Sequence, residues 1–318
     1  MIFYNIDGIS SSNPNKDDFF IVENEVGNLV FKEGDLTFEI ERLCIELRNL
    51  LAIKIFGNLE EYHKFLAAPI YSFASLAGID AEMRLSKEEF EQFIKTIDDK
   101  TSLNKLLYYS DVENLIGNIQ NSVLETKYLV GEFYRTLNKN SFLIQEGLFT
   151  VENGIQYSSG PVVTNITALV NHLFINLYSQ LDFVTKVIFE FENIHTNFDV
   201  YPKLKSKSIL FGDSKKTSFK EKSDTIYEMT DNIRIIMYLR NEIVHNSSID
   251  SFPKVYQNIR NKKIIEKFIL IPDFHNGLIQ TFKNRKRFFN DDTKLNKIIP
   301  TLINDFWSKL MNTLNHIK

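Results

Sequence analysis

The stretch from Val163 to Phe191 constrains this chain most, because it repeats apolar residues at helical spacing on two sides at once. Ile166, Leu169, Leu173, Leu177, Leu181, Val184 and Ile188 make one stripe, and Phe174, Ile175, Tyr178 and Phe189 make a second. A helix apolar on most sides is buried in its fold or in an interface. Asn171, His172, Asn176, Gln180 and Asp182 interrupt the run, so it reads as a protein core rather than a membrane span.

Few breakers accompany that helix. Seven prolines and twelve glycines in 318 residues favour helices over a turn-rich sheet protein, and 43% hydrophobic with 25% charged residues is ordinary globular composition, enough for two cores. The 27 phenylalanines, with abundant Asn, Ile and Lys, reflect a biased composition, so aromatic richness by itself does not announce a base-stacking surface. The single cysteine, Cys44, lies between Leu43 and Ile45 and reads as core; it excludes an intramolecular disulfide framework and suits a reducing cytosol. The N-terminus lacks a basic segment followed by a long apolar one, so no signal peptide is visible and the expected location is cytoplasmic.

The expected fold is mainly α, with a helical N-terminal region holding a small β-hairpin and a helical bundle in the C-terminal half. Phe19–Val22 and Asn28–Phe31 flank a Gly27-containing turn and read as the hairpin. Helices are predicted over Leu36–Phe56, Leu59–Ala77, Ser102–Ile116 and Ile119–Leu137, and Ser86-Lys87-Glu88-Glu89 matches a capping box that opens another to about Ile97. Residues 141–162, with Gly147, Asn153-Gly154 and Ser158-Ser159-Gly160-Pro161, form the clearest break. They divide an acidic region, 1–140, from a domain over 163–318 with a basic extension. Further on, Phe268–Ile271 reads as a strand, Pro272-Asp273 and Asn276-Gly277 as turns, and the segment after Asp291-Asp292-Thr293 as a helix interrupted or restarted at Pro300.

Leu239-Arg240-Asn241-Glu242-Ile243-Val244-His245-Asn246 closes an apolar-periodic segment. Counted from Asp224, Ile226, Met229, Ile233, Ile236, Ile243 and Val244 share one helical stripe with Arg240 in its middle, while Asp231, Tyr238 and Glu242 face away. A guanidinium on a buried face needs an acidic partner or a wet cleft. Asp182, on the second apolar face of the 163–191 helix, is the only acid between Glu152 and Glu190 and is the expected partner, with Tyr178 on the same face as a further supporting residue. Asn241 and His245, four apart, share an adjoining face.

An arginine and a histidine separated by four residues, with a polar residue directly after the arginine, on the second helix of a long pair, resemble the signature of the HEPN superfamily of helical domains. The resemblance covers the motif helix in detail and residues 160–250 as a pattern. It implies a metal-independent endoribonuclease without a cofactor, in which Arg240 holds the phosphate, His245 does acid or base work and Asn241 orients the imidazole or binds a phosphate oxygen. RNA supplies its own 2′-hydroxyl nucleophile, so a proton carrier and a cation at the phosphate suffice. His245 at a helix C-terminus suits an acid or electrostatic role. Products would be a 2′,3′-cyclic phosphate and a 5′-hydroxyl. Family members commonly build the cleft from two facing motifs, and none of the other arginines has a histidine at such spacing, so the resemblance implies a homodimer. It also brings a plausible toxin or antiviral-defence setting, with an antitoxin or defence-system partner. Some such domains serve instead as non-catalytic binding or dimerisation modules, with Arg240 and Asp182 as a structural pair.

Charge is unevenly spread. Residues 1–100 carry 10 basic and 19 acidic side chains, 101–200 carry 5 and 10, and 201–318 carry 22 and 12. Basic runs lie at Lys203–Lys207, Lys215-Lys216, Arg260–Lys263 and Lys283–Arg287, and such runs can neutralise phosphates, although a solvated face is their commoner role. Lys283, Arg285, Lys286 and Arg287 are the candidate RNA contacts. There is no His-Glu-x-x-His, Cys-x-x-Cys, Gly-x-Ser-x-Gly or intact phosphate-binding glycine loop. His63, His172, His195, His275 and His316 show no ligand spacing, and His172 reads as a packing residue.

Overall fold

The computed structural model describes every residue except 6, 13–18, 32–34, 141, 143–150, 221, 281, 283, 290–292 and 318. Its elements run β1 (Ile2–Asn5), β2 (Ser10–Ser11), β3 (Phe19–Glu23), β4 (Leu29–Phe31), α1 (Asp35–Phe56), α2 (Leu59–Ala67), α3 (Pro69–Leu76), α4 (Lys87–Lys95) and α5 (Lys100–Lys139). Then come β5 (Gly154–Ser158), α6 (Pro161–Glu192), a 3-10 turn at Phe211–Lys216, α7 (Asp231–Asn246), β6 (Val255–Arg260), β7 (Lys263–Phe268), β8 (Phe274–His275), β9 (Leu278–Ile279) and α8 (Leu295–Asn315). The protein is mainly α with small antiparallel sheets. Among the described residues no helix is long and apolar enough to cross a membrane.

Two compact units emerge, and they interleave along the sequence instead of dividing at 141–162. One comprises Met1–Phe38, Ser122–Ser179 and Ser223–Met311; the other comprises Glu39–Asn121, Gln180–Lys222 and Asn312–Lys318. The expected split into 1–140 and 163–318 fails because α1, α5, α6 and α8 each contribute residues to both units. Nor is 141–162 a bare linker: β5 lies within it and pairs with β6, while 141 and 143–150 lie outside the described residues.

In the first unit, side-chain links set the helix directions. Asn176 Nδ2 donates to the Ser122 carbonyl at 2.8 Å and His172 meets Glu125 at 3.0 Å, so α6 runs antiparallel to α5. Asn171 bonds Ser248, and Tyr178 packs on Arg240, so α7 runs antiparallel to α6. Asn232 Nδ2 donates to Asp305 Oδ2 at 2.8 Å and Lys309 meets Glu228 at 2.6 Å, which reverses the direction again into α8. The result is an up-down-up-down arrangement of four helices. Its core is made by the faces their periodicity predicts, with Leu173, Leu177, Ile233, Ile236, Leu239, Ile303 and Phe306 buried.

The hairpin at 19–31 forms as β3 and β4, turned at Gly27 with φ +83°, inside a four-stranded sheet ordered β2-β1-β3-β4. A second sheet is ordered β5-β6-β7. Asn261 and Lys262, both at positive φ, make the two-residue turn between β6 and β7, so the basic run at 260–263 is a hairpin tip. The expected strand at 268–271 is displaced to Lys263–Phe268 because pairing with β6 sets the register.

In the second unit, Ala74, Ile97, Leu103 and Leu107 form a cluster with Tyr71, Phe90, Phe93 and Ile94. Cys44 is fully buried, as its flanks suggested. The capping box at Ser86 forms with both reciprocal hydrogen bonds. The two helices expected at 102–116 and 119–137 are one 40-residue helix, because Ile116 and Ile119 are both buried and their burial outweighs the roughly 1 kcal/mol that an interior Gly117 costs. The helix expected over 59–77 is divided at Ala68, whose extended backbone precedes Pro69.

Candidate functional site

The motif helix begins at Asp231 after Thr230, later than the apolar spacing from Asp224 suggested. Ile226 is buried outside the helix and Met229 is exposed, so neither takes part in its stripe. The buried face of α7 comprises Ile233, Ile235, Ile236, Leu239, Glu242 and Ile243. Two expectations are thereby corrected: Arg240 lies at the half-buried edge of this face rather than in its middle, and Glu242 is buried, at 3% exposure, rather than solvated. Val244 is exposed as well.

Arg240 is held from two sides. Its guanidinium carbon lies 4.5 Å from the centroid of the Tyr178 ring, a cation–π contact, and its Nη1 donates to Asn241 Oδ1 at 3.0 Å. Asp182 accepts a hydrogen bond from the Phe211 backbone N–H at 2.8 Å. An arginine at a half-exposed edge needs no buried counter-charge, and an aromatic face is enough to orient it. Asn241 is exposed and turned to Arg240. His245 is exposed in the last turn of α7, five residues and about 7.5 Å along the axis from Arg240, and makes no hydrogen bond to the described residues. Ser247, in the left-handed region at φ +66°, ends the helix just beyond it.

Two buried carboxylates complete the neighbourhood. Glu242 Oε1 accepts from Lys286 Nζ at 2.7 Å and Glu242 Oε2 accepts from Asn246 Nδ2 at 2.8 Å, while Arg287 Nε lies 3.9 Å away. Arg287 also donates to the Asn246 carbonyl at 3.1 Å and to Ser251. Asp273, at 3% exposure, accepts from the backbone N–H groups of Arg287 and Phe288 at 2.8 Å each, and from the Tyr238 hydroxyl. Burial, and then that bond to Asp273, push the Tyr238 phenol well above its ordinary value, so it stays a donor. The basic run is thus folded back onto the end of α7. Lys286 and Arg287 neutralise Glu242, Arg285 lies 5.8 Å from the Phe288 ring centroid, and Lys283 lies outside the described residues. Charge balance was the available signal for Glu242 and Asp273, since a basic run in a compact fold needs acids nearby; which acids is decided by contacts more than thirty residues distant in some cases.

Exposed apolar side chains occur on three helices of this unit. Leu124 and Tyr128 of α5, Ile175 of α6 and Val244 of α7 are exposed, and Ile175 is flanked by the His172–Glu125 and Tyr178–Arg240 contacts. Of the second apolar face of α6, Phe174 is fully buried, Tyr178 is half-buried against Arg240, and Ile175 remains open. Comparison of the chain with protein-family models, with curated proteins and with solved structures finds no match.

Proposed function

We propose that this chain is a metal-independent endoribonuclease of the HEPN type, acting as a homodimer. The observation that carries the reading is the state of the two motif side chains: Arg240 is pre-oriented by Tyr178 and Asn241, and His245 is left open to solvent on the same helix. An oriented guanidinium is what binding a phosphate requires, and an exposed imidazole within reach is what moving a proton requires. In the proposed reaction the 2′-hydroxyl of RNA loses its proton and its oxygen attacks the adjacent phosphorus. The P–O5′ bond breaks, the departing oxygen is protonated, and a 2′,3′-cyclic phosphate and a 5′-hydroxyl result. His245 carries a proton in this exchange and Arg240 balances charge developing on the phosphate.

The helix arrangement is compatible with the family pattern, an antiparallel pair carrying the motif near the end of its second helix. Ile175 and Val244 lie beside the motif side chains, Leu124 and Tyr128 are open on α5, and covering this surface with a second copy would bring two Arg240–His245 sets together. A toxin or antiviral-defence role, with a matching partner, follows only from the resemblance. The alternative, a non-catalytic dimerisation module, is favoured by one feature: Asn241 is engaged with Arg240 and not with His245.

The test is incubation with total RNA in EDTA. Wild type is expected to cut and to leave cyclic phosphate ends, while His245→Ala and Arg240→Ala are expected to lose at least about a hundredfold in rate. Ile175→Asp should give a monomer by light scattering and lose cleavage with it. Intact RNA with a folded wild-type dimer would leave the module reading in its place.

A further inference from the structure

The sheet β5-β6-β7 carries a row of aromatic side chains. Register aligns Tyr157 with Tyr256 and Tyr256 with Phe268. Tyr256 and Phe268 are stacked, with centroids 5.4 Å apart and planes 14° apart, and Tyr157 stands 6.3 Å from Tyr256. Along β6, Val255, Gln257 and Ile259 are buried, which turns Tyr256 to the other side of the sheet, where the row runs from buried Phe268 through half-buried Tyr256 to open Tyr157. Tyr157 is 63% exposed there and Phe252, just before β6, is 77% exposed. Lys254 Nζ sits between them, 5.6 Å from the Tyr157 centroid and 5.9 Å from that of Phe252, and donates one of its three N–H bonds to the Phe252 carbonyl at 3.0 Å. At the far side of the row Lys294 Nζ covers Phe268 at 4.4 Å.

Open rings are unfavourable in water, and an ammonium group between two of them matches a ligand made of flat rings joined by anions. Single-stranded polynucleotide has that construction, whereas a duplex hides its base faces within the stack. We infer that this face of the sheet binds single-stranded RNA, with Tyr157 and Phe252 stacking bases and Lys254 meeting the phosphate between them. The choice of RNA rests on the ribonuclease reading. The segment from Ser247 to Lys254 leads directly from the motif helix into β6, so strand held on the sheet is delivered to the same unit that carries His245.

The experiment is fluorescence anisotropy with a labelled single-stranded RNA of about 12 nucleotides, in EDTA, on His245→Ala protein so that the strand is not cut. Tyr157→Ala and Phe252→Ala should each weaken binding about tenfold, Tyr157→Phe should bind as the parent does, and Lys254→Ala should weaken binding and flatten its salt dependence. Both ring positions are exposed, so the variants keep the circular dichroism of the parent. Equal affinity of the double variant Tyr157→Ala/Phe252→Ala would overturn the proposal, as would equal binding of the annealed duplex or tighter binding of the corresponding DNA strand. A change in molar mass of the double variant with unchanged RNA affinity would assign the face to a protein contact and overturn it too. Failure of wild type to cut RNA, with single-strand binding intact and lost in the double variant, would remove the ribonuclease reading and leave the sheet site standing. Unimpaired binding beside normal cutting would remove the sheet site alone.

Discussion

Pro300 sits inside α8 and lacks the N–H that would donate to the carbonyl of Asn296 one turn earlier. That carbonyl is instead the acceptor of the Tyr134 hydroxyl from α5, and both Tyr134 and Asn296 are fully buried. Tyr134→Phe keeps the ring and its packing but removes the hydroxyl donor from that carbonyl in a dry place, which costs about 1–3 kcal/mol. Pro300→Ala restores the helical donor, so in that background the same change should cost less than about 0.5 kcal/mol. The assay is urea unfolding followed by the fluorescence of Trp307, the chain's single tryptophan, buried seven residues along the same helix. This local reporter is preferable to a global one, because a chain of two compact units need not unfold in one step. If the two changes add within about 0.5 kcal/mol, the hydroxyl is not substituting for the missing helical bond and the reasoning fails.

Glu242→Gln removes the charge that holds Lys286 and Arg287 against α7, so trypsin should cut at 285–287 several-fold faster than in wild type, with far-ultraviolet circular dichroism unchanged; equal cutting rates would show that Asp273 alone secures the segment. Lys267 donates to the carbonyls of Asn138 and Asn140 at the end of α5, yet burial pushes its amine down to about 8 from 10.5. Between those two values the unfolded chain binds a proton that the folded chain does not, so stability should rise with pH across that window in wild type relative to Lys267→Met. Parallel pH profiles would mean that the two carbonyls hold the ammonium form as well as water does.

Where patterns are local, the fold was readable. The stripes of Val163–Phe191 gave α6 to within two residues at each end, and the reciprocal bonds at Ser86 formed as the capping box requires. The hairpin at 19–31 followed from its turn, but β1 and β2 were invisible, being short strands without alternation of their own. Errors arose where distant contacts outweigh local preference. Ile226 and Met229 fit the spacing of α7 although the chain turns before Thr230, and Gly117 marked a break that the buried side chains of α5 override. Local spacing puts Glu242 at the surface because the contacts that bury it, with Lys286 and Arg287, come from forty-odd residues later.

Within the basic run Lys286 and Arg287 meet the buried Glu242, and Asp273 holds the backbone N–H groups of Arg287 and Phe288, so this segment is tied to the end of the helix that presents His245. Arg240, meanwhile, is oriented by an aromatic ring and a neighbouring amide, leaving its positive charge uncompensated by any carboxylate it contacts among the described residues. A guanidinium resting on an aromatic face keeps its N–H groups free to meet an anion without an ion pair having to break. On the proposed ribonuclease reading, that orientation leaves Arg240 ready for an anion, and further RNA contacts would fall to cations not engaged with Glu242. Lys254, between its two exposed rings, is the best placed of these.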